Sequence, residues 1–180
     1  MFDIEKSEDF YRKLVEDYDD FMASPSSARL ALNCILTAYH LHEWVWGDWL
    51  KSDRELKAKL NIRTKEDFLK WIDSVYGFFP VIQDLANGTK HFGRPRAVAT
   101  HKVVSFGPLP AGLDGKGYLA LDLSDAGEGW GLMPAVHLIE ATVRFWRDFF
   151  KAYRPMPDMP VSRHHLDFDL AVQLERDGKP

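Results

Sequence analysis

Cysteine is almost absent from the chain, which has 180 residues and contains only Cys34. A single cysteine excludes an internal disulfide and a CxxC metal knuckle. Cys34 stands among Asn33, Ile35 and Leu36. The sequence therefore predicts a small buried side chain there rather than a catalytic thiol.

Long apolar runs are also missing. No stretch is apolar over enough residues to cross a bilayer, and the acidic first residues lack the hydrophobic segment of a signal peptide. We therefore expect a cytoplasmic protein with no membrane contact.

Positive charge is not in excess, since 23 Lys and Arg stand against 27 Asp and Glu, for a net charge of -4. Proteins that bind DNA are usually basic over a whole face, so we expect no DNA partner. The motifs GxxxxGK[ST], GxGxxG and GxSxG are absent as well. Their absence argues against phosphate-loop, Rossmann and hydrolase chemistry, and we expect no cofactor.

What the chain does contain is 46% hydrophobic residues and 13% aromatic residues, which suits one domain with a ring-rich core. Apolar spacing predicts a first helix over 7–22 with Ser7 as its N-cap. A central helix is predicted over Ala28–Lys51. Apolar residues cover more than half of its circumference, so several neighbours should contact it.

Further helices follow from capping signals and proline positions. Thr64 with Asp67 three residues later resembles a capping box, and it predicts a helix that buries one face. Pro134 can open a last long helix that ends near Tyr153, before Pro155. The buried face of the helix after Thr64 is predicted to comprise Phe68, Trp71, Ile72 and Val75.

A β-hairpin is predicted at about 95–123, where β-type residues alternate with Gly and Pro turn signals. Leu119, Leu121 and Leu123 share one face of its second strand, which must pack on helices. The predicted fold is mainly α, a bundle of four to five helices with this hairpin inserted before the last long helix. Residues 1–154 should form one domain, and 155–180 a C-terminal arm or tail.

Glu43 on the central helix is the most specific polar position. If it is buried it needs a partner, and the segment that contains Asn87, Lys90 and His91 offers one. The contact can be a structural salt bridge that sets helix register, or part of a binding site.

Two short elements resemble an uncharacterised bacterial family. They are Leu-His-Glu-Trp-Val at 41–45 and Ala-Asn-Gly-Thr-Lys-His at 86–91, followed by a hairpin and by Phe145, Trp146 and Phe149 in the last helix. The resemblance covers about residues 28–153 and implies no established activity. The helical bundle of that family is similar to HEPN proteins, many of which are RNases in defence and toxin systems.

The HEPN resemblance implies an RNase motif, Arg-x4-6-His, and this chain has Arg96 and His101 at that spacing. In such an RNase, His acts as general acid or base and Arg stabilises the phosphate. Here the two residues are predicted on a strand, where a spacing of five places them on opposite faces.

The surrounding segment 90–102 is basic and contains no carboxylate. It can contact the phosphate of RNA or of a nucleotide, and it can equally be the charged edge of a solvated hairpin.

A metal site is a further hypothesis, because His40 with Glu43 and His137 with Glu140 each place a His and a carboxylate on one helix face. The order is the reverse of the Glu-x-x-His pairs of di-metal bundles, and no additional bridging glutamates are evident.

Three functions therefore remain open at this level. The first is a non-catalytic protein that acts through protein interaction or as a homodimer, using an aromatic helix face with Trp46, Trp49 and Phe150. The second is a HEPN-like RNase or nucleotide-binding module. The third is a His/Glu metal protein. We favour the first, and so expect no enzymatic activity.

Overall fold

The computed structural model of the chain describes residues 4–88, 99–103, 117–123 and 131–164. Within these residues the fold is mainly helical, with a small antiparallel sheet before the last long helix, which confirms the predicted fold class. The elements in chain order are α1 Ser7–Ala23, α2 Ala28–Asp48, a 3-10 turn Leu50–Ser52, α3 Arg54–Leu60, α4 Lys65–Val75, α5 Phe79–Gly88, β1 Ala99–Val103, β2 Tyr118–Asp122, β3 Leu132–Pro134 and α6 Ala135–Tyr153.

Helix α2 lies at the centre of the bundle and contacts α1, α4, α5 and α6, as its wide apolar surface predicts. It is shorter than predicted, because its α-helical part ends at Asp48 and a 3-10 turn carries the chain through Lys51. None of the helices among the described residues is both long enough and apolar enough to cross a membrane.

The start of α1 differs from the prediction, since Lys6 rather than Ser7 is its N-cap. The Ser7 backbone N–H and Oγ instead donate to Asp48 Oδ2, at 3.0 and 2.9 Å, and the Trp49 indole N–H donates to Ser7 Oγ at 3.0 Å. The Asp48 carboxylate at the end of α2 thus accepts a hydrogen bond from a free N–H in the first turn of α1. Asp48 is distant in the sequence, so local capping signals do not predict this contact.

Helix α4 begins where the capping signal predicts. Thr64 Oγ1 accepts from the Asp67 backbone N–H at 3.1 Å, and Asp67 Oδ2 accepts from the Thr64 N–H at 3.0 Å. The prediction for Val75 is wrong, because this residue is 37% exposed at the end of the helix. The chain turns there, and Tyr76 enters the core in its place.

The hairpin consists of β1 and β2, paired so that His101 lies opposite Ala120. The three leucines at 119, 121 and 123 are buried, as predicted, and the Leu119 N–H donates to the Pro25 carbonyl at 3.0 Å. Strand β3, which was not predicted, pairs antiparallel with β2. A strand of three residues is too short to show an alternating pattern.

Helix α6 begins directly after Pro134 and ends at Tyr153, as predicted. Its Trp146 is fully buried, and the indole N–H donates to the Ala38 carbonyl of α2 at 2.9 Å. The proposed aromatic dimer face requires correction, since Trp49 and Phe150 belong to the core, at 8% and 0% exposed. The apolar stripe of a helix, seen in sequence alone, does not show which of its residues are buried by the other helices of the same chain.

Candidate binding groove and the predicted site residues

An open aromatic groove lies between the end of α4, the turn that follows it, and one face of α6. Its volume is about 370 Å³, within the range typical of binding sites. We call it the aromatic groove and define it by its lining residues, Trp71, Val75, Tyr76, Gly77, Phe78, Ala141, Arg144, Phe145, Asp148, Phe149, Ala152 and Tyr153.

The walls of the aromatic groove are held by ring contacts and one buried hydroxyl. Tyr76 stacks on Phe145 with ring centroids 5.0 Å apart, and Trp71 lies 5.9 Å from Phe149. The Tyr76 hydroxyl and Thr142 Oγ1 are hydrogen-bonded at 2.8 Å. Burial raises the pKa of Tyr76, so its hydroxyl stays neutral. These contacts fix the rings before any partner arrives.

The two charged residues of the groove already have ionic partners. Arg144 is only 2% exposed and forms an ion pair with Glu140 one helical turn earlier. Asp148 Oδ1 accepts from Arg147 Nε at 2.8 Å. The groove therefore offers an incoming group mainly apolar surface.

Sequence reasoning missed the groove. It singled out neither the turn at Tyr76–Phe78 nor the facing side of α6 as a site. The available signal was the run of aromatic residues just before Pro80, but nothing local shows that this turn meets α6.

Glu43 lies on the exposed side of α2, and its side chain is 45% exposed. One carboxylate oxygen lies 3.0 Å from His40 Nδ1, and the other accepts from Lys65 Nζ at 3.1 Å. Burial alone would raise the pKa of Glu43, but the hydrogen bonds from His40 and Lys65 lower it. Asn87 is partly exposed near the end of α5. The predicted contact with Lys90 or His91 lies outside the described residues and stays a prediction.

The four metal candidates do not meet in one group. His40 and Glu43 contact each other on α2, whereas His137 is exposed on α6 and Glu140 is paired with Arg144. In the part of the chain that the structure describes, no three His, Cys, Asp or Glu side chains are placed to share a metal ion.

Of the two RNase candidates, Arg96 lies outside the described residues. The backbone of His101 lies in the middle of β1, opposite Ala120. The proposed phosphate contact at 90–102 falls largely outside the described ranges, and it stays a prediction with the RNase motif.

His42 is a buried titratable side chain on α2. It is 1% exposed on α2, near the rings of Tyr39 and Phe79. Its Nδ1 lies 2.5 Å from the Tyr39 carbonyl oxygen, which can only accept, so this nitrogen carries a proton. Burial lowers the pKa of His42 despite that hydrogen bond.

The buried His42 should make the fold less stable in acid. The unfolded chain binds a proton at a pKa of about 6.5, whereas the folded pKa is lower. The contribution of neutral His42 to stability is therefore fully present above about pH 6.5. It decreases as the pH falls below that value, because the unfolded state then binds more protons. Urea unfolding between pH 5 and 8 measures this. His42→Asn, which retains a donor near the Tyr39 carbonyl, should flatten the dependence.

The matched control is His137→Asn on the exposed side of α6, which should keep the wild-type pH dependence. An equally steep loss of stability in wild type and in His42→Asn would show that other groups cause it.

Comparison with protein-family models, with curated proteins and with solved structures finds no match to this chain. The resemblance to HEPN-like proteins therefore rests on the short sequence elements alone and stays a prediction.

Proposed function

We propose that this protein is non-catalytic and acts through protein interaction, with a second copy of the chain as the partner that covers the aromatic groove. The observation that carries the proposal is the groove itself, a concave surface lined mainly by apolar and aromatic side chains and open to solvent. Exposed apolar patches of this kind mark interaction sites.

The groove has the composition of an interface centre. Tyr and Trp are enriched at binding hot spots, and Trp71, Tyr76 and Tyr153 all line it. Val75 and Ala152 expose aliphatic surface at its edge. A stable interface buries roughly 800 Å² on each partner, so the groove would form its centre and neighbouring polar residues its rim.

The electrostatics permit such a contact. Arg144 and Asp148 keep their ionic partners, so covering the groove leaves neither charge without compensation. The net charge of -4 is small for 180 residues, so repulsion between two copies is weak.

Three buried groups with a shifted pKa, Tyr76, His42 and Cys34, have structural explanations, which supports a non-catalytic protein. Tyr76 supports the wall of the groove, and His42 is a core residue bonded to its own helix. Cys34 is buried, and burial raises the pKa of its thiol, which opposes nucleophilic chemistry.

Val75→Lys should disrupt the dimer. Lysine at the end of α4 suits the helix dipole, so the monomer should stay folded. In the interface the ammonium would lie unpaired against apolar surface, which should weaken association at least tenfold. Sedimentation equilibrium over a range of concentrations measures the association constant.

The control is Val161→Lys, which introduces the same residue at a valine that is 86% exposed. It should associate like wild type. A wild-type protein that remains monomeric at its highest soluble concentration would refute self-association, and equal weakening by both lysines would exclude the groove as the contact.

A further inference from the structure

The segment 155–164 follows α6 as an arm without helix or strand, and we call it the C-terminal arm. Met156 and Met159 pack against the core from it. Among the described residues, no backbone–backbone hydrogen bond joins the arm to the helices or to the sheet. Side chains therefore hold it, and segments held in this way can open locally while the remainder stays folded. Its prolines are Pro155, Pro157 and Pro160.

Two contacts hold the arm and its start along α1. Arg154 Nε, at the junction with α6, donates to Glu8 Oε1 at 3.1 Å. Farther along, Arg12 Nη2 lies 3.4 Å from the Asp158 carbonyl oxygen. Both lie at exposed sites, where solvent competes with them, and each contributes little.

The third contact is different, because Asp19 is buried at 6% exposed. Its carboxylate accepts from Ser162 Oγ at 2.5 Å, from the Arg163 backbone N–H at 3.1 Å and from Arg163 Nε at 3.2 Å. Burial alone would raise the pKa of Asp19, but these hydrogen bonds lower it, so the carboxylate is ionised. Hydrogen bonds to a charged acceptor are the stronger kind.

The contacting residues of α1 share one face of the helix. Glu8, Arg12 and Asp19 follow one another at spacings of four and seven, which places them in a single row. The contacts of the arm and its start with α1 thus lie along this face of the helix.

We infer that the C-terminal arm is a latch, closed when Asp19 binds Ser162 and Arg163, and able to open as a unit while the helical bundle stays folded. Opening frees the face of α1 that carries Arg12 and Asp19. This inference is independent of the aromatic groove and of self-association.

Limited trypsin digestion of the full chain tests the latch. Arg163 is the cleavable residue of the arm, since the segment contains no other Lys or Arg and Arg154 precedes proline. Asp19→Ala should accelerate cleavage after Arg163 by about tenfold or more, because three charge-assisted hydrogen bonds are lost. Mass spectrometry identifies the cut, and the melting temperature of each variant is measured in parallel. Ser162→Ala, which changes only the arm, should accelerate cleavage to a smaller extent.

The matched control is Asp20→Ala, at an exposed carboxylate next to Asp19, which should leave the rate unchanged. An unchanged cleavage rate in Asp19→Ala would show that the carboxylate does not hold the arm. Faster cleavage with a parallel decrease in melting temperature would also overturn the inference, because the arm would then open only with the bundle.

Discussion

Trp146→Ala is expected to lower the free energy of unfolding by about 3–5 kcal/mol. Trp146 is fully buried on α6, and its indole N–H donates to the Ala38 carbonyl at 2.9 Å. The substitution leaves a large cavity where α6 meets α2 and removes the donor. Because small proteins are stable by only about 5–15 kcal/mol, this one change should remove much of the total. Urea unfolding followed by far-UV circular dichroism measures it.

Two further variants separate volume from hydrogen bonding. Trp146→Phe keeps a ring but lacks the N–H, so we expect a smaller loss, about 1–3 kcal/mol. Trp46→Ala is the matched control, since Trp46 is only partly buried on α2. If Trp146→Ala destabilised the fold no more than Trp46→Ala does, Trp146 would not be central to the packing of α6.

Glu140→Ala is expected to destabilise the protein by about 3 kcal/mol, more than removal of its partner does. The Arg144 side chain is 2% exposed, whereas the Glu140 side chain is 21% exposed. Without Glu140, the guanidinium loses an ionic partner while it remains buried. Arg144→Met removes the buried charge and keeps an apolar chain of similar length. The Glu140 carboxylate that it leaves behind is 21% exposed and can be solvated, so we expect a smaller loss.

The informative result is which of the two variants loses more free energy of unfolding. Chemical denaturation of wild type, Glu140→Ala and Arg144→Met measures both free energies under one condition. A loss in Arg144→Met equal to or above that in Glu140→Ala would show that the arginine contributes mainly through other contacts. Repeating these measurements with added metal ions tests the metal hypothesis for Glu140. If Glu140 serves the ion pair, metal ions should not change which variant loses more stability.

Local signals predicted most of the elements correctly. The exchange of hydrogen bonds between Thr64 and Asp67 depends on residues three apart, so the sequence alone locates the start of α4. Pro134 marks the start of α6 because proline suits the entry to a helix. The leucine alternation in β2 depends on the two-residue period of a strand.

Predictions failed where a distant residue decides. Ser7 has the chemistry of an N-cap, but Asp48 lies close enough to bind its N–H, so the local preference does not apply. Val75 continues the apolar stripe of α4, yet the chain turns after it and leaves it 37% exposed. Glu43 needs a partner only if it is buried, and it lies 45% exposed beside His40 and Lys65.

The aromatic groove and the C-terminal arm also depend on residues that are far apart in the sequence. The aromatic groove exists because the turn at Tyr76–Phe78 approaches the face of α6 that carries Phe145 and Phe149, more than sixty positions later. Each segment alone is typical of buried core. The arm is similar, since Asp19 is one of several carboxylates on an acidic helix until Ser162 and Arg163 reach it.

The sequence by itself determined that this protein is a mainly helical bundle with a hairpin before the last helix. Periodicity, capping and turn chemistry are local properties, and they act over a few residues. Only the tertiary structure decided which apolar faces are covered, which carboxylates are buried and where a groove stays open. Those features depend on packing between segments far apart in the chain, and hydrophobic burial does not specify its partner.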